Sequence, residues 1–143
     1  MRMSAKAQYA CIAMLELARN SRMNQPLQVR NIAEAHGISP RFLVQILLQL
    51  KVNGLVRSLR GAAGGYQLAR SAENISLADI IHAIDDNVAA LPPTFKSLKP
   101  SAASEALKSV FKDVDAKERE MLRAVSLAEL LRRSEASEVS YQI

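Results

Sequence analysis

Arg41, Val44, Gln45 and Leu48 recur at the three- and four-residue intervals that put side chains on one helix face. A guanidinium and a carboxamide can each hydrogen-bond the edge of a base, and aliphatic neighbours can meet thymine methyl groups. A core would not claim that face, because Leu43, Ile46, Leu47 and Leu50 supply an apolar one opposite. The helix has clear limits. Ser39 suits the N-cap and Pro40 the first helical position, and Asn53-Gly54 is the stop, Gly54 being free to turn left-handed. Two short β-type runs follow, 55–59 and 66–69, joined by a turn over 60–65 whose three glycines permit positive φ and close backbone approach. A helix with a free polar and methyl-bearing face, followed by a glycine-tipped basic hairpin, outlines a winged helix-turn-helix and predicts a DNA-recognition unit.

The elements before it must hold it in place. Residues 4–19 read as a helix apolar on most of its circumference (Tyr9, Ile12, Ala13, Met14, Leu15, Leu17), which must pack against more than one neighbour. A polar loop covers 20–27. A short helix over 28–36 turns Val29, Ile32 and Ala33 inward, and Gly37 ends it, leaving a connection to Ser39 as tight as a helix-turn-helix requires. His36 is expected only as a cation at a helix C-terminus.

After the wing, 71–74 is a turn and Ser76 to Asp79 has the form of a capping box, with Asp in place of the usual Glu. The helix it opens, 77–86, is expected to bury Leu77, Ile80, Ile81 and Ile84, with His82 facing solvent and Asp85-Asp86 as solvated charge. Residues 87–104, with three prolines and no period, read as an irregular linker. From Glu105 a long helix carries Leu107, Val110, Phe111, Val114, Met121, Leu122 and Val125 on one side, interrupted by Glu118. Ser126 to Glu129 resembles a further capping box, opening a short helix through Leu130, Leu131 and Arg132, with 134–143 polar and frayed. A lone apolar stripe needs a partner. Part is expected to fold back on the first helix and the rest to meet a second copy of the chain, as a dimerisation helix. The expected division is a winged DNA-binding domain over 1–86, a linker over 87–104, and the dimerisation helix, short helix and tail over 105–143.

Composition narrows the class. The 143 residues are 49% hydrophobic with 5 Gly, 5 Pro, no Trp and 4% aromatic residues, which favours a globular, mainly α fold with a small β-hairpin. No apolar run approaches a membrane span and the N-terminus lacks a signal-peptide layout, so the expected location is cytoplasmic. One cysteine excludes an internal disulfide and a cysteine-rich zinc site, and no metal ligand set is expected. Charge is unevenly placed: residues 1–70 carry ten Lys/Arg against Glu16 and Glu34, a net +8, whereas 71–143 carry nine against twelve Asp/Glu, a net −3. The basic half holds the recognition unit, as phosphate binding requires.

Specific motifs then point to a family. Met3-Ser-Ala-Lys6 with Tyr9-Ala10, Ile32-Ala33 with Gly37-Ile-Ser39, Phe42-Leu43 with Gln45, and Gly54-Leu-Val56 come first. Arg60-Gly61, Gly64-Gly-Tyr66 with Leu68-Ala69, Ser76 to Ile80 and Ser126 to Leu130 follow. In these the chain resembles, almost end to end, the Rrf family of bacterial transcription regulators. That group includes regulators of iron–sulfur assembly, of nitric-oxide response and of cysteine metabolism. The cluster-binding members carry three cysteines between the fourth helix and the dimerisation helix. Here 87–104 has none, and Cys11, alone inside the first helix, cannot substitute. The resemblance therefore implies the cluster-free branch, with no cofactor and with a small molecule or a protein as effector. Val44 stands where members often have Glu. A Glu there could accept from cytosine N4, whereas valine offers apolar contact only, so the family's operators do not carry over.

The expected mechanism is a homodimer placing two recognition helices in successive major grooves of a near-palindromic operator in double-stranded DNA, repressing by blocking a promoter. Arg41 and Gln45 would read bases beside Val44 and Leu48. Lys6, Ser39 and the N–H groups starting the third helix would hold phosphates, and Arg60 would enter a narrow minor groove. Tyr9, Phe42, Ser58, Gly61 and Gly64 complete the expected contact set. A winged-helix adaptor that binds only protein is the alternative, and the +8 half argues against it. Two distant histidines, one helical cysteine and no glycine-rich phosphate loop before a helix leave an enzyme without support.

Overall fold

The computed structural model describes residues 3–85 and 93–141. It is mainly helical: α1 (Ala5–Asn20), α2 (Val29–His36), α3 (Pro40–Val52), a hairpin of β1 (Val56–Leu59) and β2 (Gly65–Leu68), α4 (Leu77–Ile84), α5 (Ala102–Ala124) and α6 (Leu127–Tyr141). Short 3-10 turns lie at Ser21–Met23, Ala72–Asn74 and Pro93–Ser97. Winged helix-turn-helix with a long C-terminal helix describes it, as expected from the sequence.

α1 is the central post. Ala7, Ala10 and Ala13 are fully buried beside Met14, Leu17 and Ala18, and those small side chains let the helix touch α3, α4, α6 and β2. Its start is capped by Ser4, whose Oγ accepts from the Ala7 N–H at 3.0 Å. Ser4 in turn donates through N–H (3.0 Å) and Oγ (2.6 Å) to the two carboxylate oxygens of Asp85. Asp85 is thus a tie between α4 and α1 rather than solvated charge; Asp86 lies outside the described residues. Tyr9 also departs from expectation: it is exposed, not core.

α2 ends at Gly37, which takes the left-handed conformation at φ 62°. His36 is more than a helix-end cation, because its Nε2 lies 3.0 Å from Glu16 Oε1 on α1. α3 buries Leu43, Ile46, Leu47 and Leu50 into one core with Ile32, Leu55, Ile75 and Ile80. The hairpin is antiparallel, Val56 opposite Leu68 and Leu59 opposite Gly65. Leu27 forms a third lane beside β2, exchanging two 2.9 Å backbone bonds with Tyr66. The capping box at α4 is present in full: the Asp79 N–H donates to Ser76 Oγ and the Ser76 N–H to Asp79 Oδ2. Ile80, Ile81 and Ile84 are buried, Leu77 is only half-buried, and His82 is exposed.

The C-terminal third differs most from expectation. α5 starts at Ala102 rather than Glu105, because Ser101 and Ser104 cap each other, hydroxyl to N–H, at 2.8 and 3.0 Å. The stretch read as linker therefore includes the turn at Pro93–Ser97 and the first turn of α5, while residues 86–92 lie outside the described residues. After α5 the chain returns to the winged unit: the Leu77 N–H donates to the Val125 oxygen (2.9 Å) and the Leu127 N–H to the Ile75 oxygen (2.7 Å). Leu127 (0% exposed) and Leu131 (6%) then enter the core, so residues 1–86 do not close it by themselves. α6 runs to Tyr141 instead of fraying after Arg133. Ion pairs from Arg19 of α1 to Glu138 (3.0 Å) and from Arg22 of the following 3-10 turn to Glu135 (2.8 Å) hold it in place, with Arg19 also donating to Ser134 Oγ (2.9 Å). The box expected at Ser126 is half made. The Glu129 N–H donates to Ser126 Oγ, but the carboxylate turns to Arg132 and Arg133, whose hydrogen bonds hold it below the usual carboxylate range.

Candidate DNA-binding surface

Because α3 gives its leucine and isoleucine face to the core, Arg41, Val44, Gln45 and Leu48 emerge together on the exposed face. Val44 is 38% and Leu48 49% exposed, so the two aliphatic side chains stand in solvent beside Arg41 and Gln45. Ser39 is exposed and its hydroxyl makes no capping bond, so at the start of α3 it stands open beside the Arg41 and Phe42 N–H groups. Phe42 is half-buried and meets Tyr9 of α1 edge to face, ring centroids 5.9 Å apart at 89°. That contact sets the first turns of α1, with half-buried Lys6, beside the N-terminal end of α3.

The wing abuts the other end of α3. Lys51 Nζ donates to Ser58 Oγ at 2.8 Å, so Ser58 joins helix and hairpin with its hydroxyl already engaged. Lys51 was missed in the sequence; the signal was a cation one residue before the end of the recognition helix. Arg60 and Gly61 are exposed in the turn, Gly61 at φ 106°. Gly64 has a different part: a Cβ there would strike the Leu59 carbonyl oxygen and the Arg60 backbone, so glycine is what lets the turn close. The Gln28 amide Nε2 reaches the Ala62 oxygen at 3.4 Å, bracing the turn from the start of α2. The structure thus joins Tyr9, Phe42 and α3 at one end of the surface and Lys51, Ser58 and the wing at the other.

Comparison with known proteins decides the family. The model of the Rrf2 family, described as iron-dependent transcriptional regulators, matches residues 3–133. The chain belongs to the Rrf2 family. Among relatives, it is 40% identical over 131 residues to the candidate HTH-type transcriptional regulator Rv1287 of Mycobacterium tuberculosis, covering 91% of this chain and 81% of the relative. It is 34% identical over 140 residues to the HTH-type transcriptional regulator IscR of Escherichia coli, covering 98% and 86%. Among solved structures, IscR of T. potens superposes with a TM-score of 0.77 at 33% identity, covering 96% of this chain and 90% of that one. CymR, the global cysteine regulator of B. subtilis, superposes with a TM-score of 0.81 at 26% identity, covering 93% and 98%. As an Rrf2 protein the chain is a DNA-binding transcriptional regulator.

Iron dependence in the Rrf2 description raises the question of ligands. Iron–sulfur clusters are held chiefly by cysteine thiolates. This chain has one cysteine, and among the described residues no three His, Cys, Asp or Glu side chains come together as a metal site. Burial, and then the charge of Asp85, push the Cys11 thiol up to about 11, so it is protonated at neutral pH. The donor set does not fit a cysteine-ligated cluster.

Proposed function

We propose that this Rrf2 protein acts as a homodimeric, cytoplasmic repressor that reads a near-palindromic operator without an iron–sulfur cluster. The observation that carries the reading is the exposed α3 face of Arg41, Val44, Gln45 and Leu48, set beside the arginine-tipped wing in the half of the chain with net charge +8. Arg41 and Gln45 read base edges, Val44 and Leu48 meet thymine methyls, Lys6 and Ser39 hold phosphates, and Arg60 enters the minor groove. Leu107, Val110, Phe111, Val114 and Met121 are all exposed along α5, and Leu122 and Val125 are half-buried; this stripe supports pairing with a second copy. A two-fold dimer sets its recognition helices in half-sites about one helical turn, or a multiple of it, apart. Regulation then rests on a small-molecule or protein effector. No candidate membrane-spanning helix occurs among the described residues, which accords with a soluble regulator.

Selection from a pool of random duplexes, followed by gel shift, tests this. The bound sequences should converge on a two-fold motif. Arg41→Ala should weaken specific binding by about 1–3 kcal/mol and relax one position in each half-site. Lys6→Ala should weaken all sequences alike and lower the salt slope by about one. A pool that never converges would end the sequence-reading role, and a motif without symmetry would end the two-fold one.

A further inference from the structure

Lys6 occupies a place in α1 that the helix itself disfavours. The first turn of a helix carries partial positive charge and is helped by acidic side chains, and α1 has none there. Lys6 adds a cation instead, and it forms no ion pair among the described residues. The missing carboxylate comes from the other end of the winged unit. Asp85, which ends α4, turns both oxygens to Ser4, the cap of α1. Its Oδ2 accepts from the Ser4 N–H at 3.0 Å and its Oδ1 from the Ser4 hydroxyl at 2.6 Å. That hydroxyl oxygen also accepts from the Ala7 N–H at 3.0 Å, and the Ser4 carbonyl oxygen accepts from the Gln8 N–H at 3.1 Å. Every polar group of Ser4 is therefore engaged, and Lys6 lies inside the turn they close.

The same turn is fixed at its far side. Lys6 and Tyr9 stand three residues apart on one face of α1, and Tyr9 meets Phe42 edge to face at 5.9 Å. Phe42 follows Arg41 in the first turn of α3, so Lys6 is carried between the Asp85 tie and the start of the recognition helix. We propose that Asp85 is a positioning residue for DNA binding: through Ser4 it holds the first turn of α1 closed and keeps the Lys6 ammonium set for a phosphate, a role that rests on the phosphate contact proposed for Lys6.

Two effects of Asp85 on DNA binding have opposite signs. As a negative charge beside a DNA-facing lysine it repels the duplex, so its removal alone would tighten binding. As a charged acceptor it makes strong hydrogen bonds to the cap, and a turn ordered in advance loses less freedom when DNA arrives. Helix ends fray readily, and a lysine in a frayed turn has both backbone and side chain to order. The positioning effect is the larger one if removal of Asp85 weakens binding.

The test uses the full chain and a duplex of random sequence, because a phosphate contact carries no sequence information. Fluorescence anisotropy over a range of salt gives affinity and slope. Lys6→Ala should weaken binding roughly tenfold at about 0.1 M salt, the worth of one phosphate contact there. Asp85→Ala should weaken it about threefold and lower the salt slope, despite the loss of a negative charge. In the Lys6→Ala background the same change should weaken binding no further. Asp85→Asn, equal in charge to Asp85→Ala, keeps an acceptor for Ser4 and should lose only about twofold. In DNA-free protein, hydrogen exchange should quicken at Ala7 in Asp85→Ala and stay unchanged in α3. If α3 exchanges faster too, Asp85→Asn decides, alone and with Lys6→Ala. Binding as tight as native without the Asp85 carboxylate, or equal weakening with and without Lys6, overturns the positioning role and leaves the lysine's contact standing. A Lys6→Ala protein that binds like the native one fails the phosphate contact itself, and the role of Asp85 falls with it.

Discussion

Replacing Leu127 by alanine removes an isobutyl group from the place where the last helix meets the winged unit. The side chain is 0% exposed, and its transfer from water contributes about 1.5–3 kcal/mol. Its neighbours in the core cannot collapse fully onto the space left, and such substitutions cost about 2–5 kcal/mol in all. The bond from the Leu127 N–H to the Ile75 oxygen is backbone and survives, so the whole loss falls on packing. We expect a destabilisation of about 3 kcal/mol. With a urea dependence of about 2 kcal/mol per molar, the unfolding midpoint drops by about 1.5 M. Far-UV circular dichroism follows it, at one fixed protein concentration because subunit association adds to apparent stability. Leu107→Ala, on the exposed stripe of α5, is the contrast and should fall well short of that loss within the folded subunit. If Leu127→Ala costs less than about 1 kcal/mol, α6 does not belong to the core as described.

Phe111→Glu and Leu122→Glu should each shift the intact protein toward monomer in sedimentation; two variants that stay dimeric would move the interface away from α5. Gly64→Ala should cost about 1–3 kcal/mol locally, because the Leu59 carbonyl oxygen cannot yield without opening the turn. Hydrogen exchange should then quicken at β1 and β2 and stay unchanged in α1, and unaltered hairpin exchange would show that the turn tolerates a Cβ. Cys11 gives a pH prediction. Its thiol titrates at about 11 in the fold against 9.0 for the free group, so the unfolded chain loses its proton first as pH rises. Stability should be unaffected by this group below pH 9 and fall between about pH 9 and 11, a fall that Cys11→Ala reduces; identical slopes in both proteins would refute the burial of the thiol. Near neutrality peroxide should leave DNA affinity unchanged in the native protein and in Cys11→Ser.

What the sequence revealed and what it hid divide by distance along the chain. The two faces of α3 were legible because the helical period lies in adjacent residues, and Pro40 and Gly54 mark its ends. The α4 cap was legible for the same reason. α6 was not. Ser134, Glu135 and Glu138 look like a polar tail until Arg19 and Arg22, more than a hundred residues earlier, are found against them. Asp85 likewise read as solvated charge because its partner, Ser4, lies at the other end of the winged unit. The start of α5 was set late because a Ser–Ser pair can close a capping box in which the eye looks for Glu. In the candidate site, the exposed face of α3 could be read from its period. The engagement of Ser58 by Lys51 and the tight seat of Gly64 needed the hairpin folded.

Docking of Leu127 and Leu131 beside residues of α1 has a consequence for synthesis. A chain is made from its N-terminus and domains fold as units while it emerges. The recognition helix and wing leave the ribosome well before Leu127 does, and until then the core they rest on has an open side. Contacts spanning most of the chain form last and slow the final step. The winged unit therefore gains its finished core only after Leu127 and Leu131 have been made. A nascent fragment lacks the packing that closes the core, and a chain truncated before α6 should be cleared by proteases.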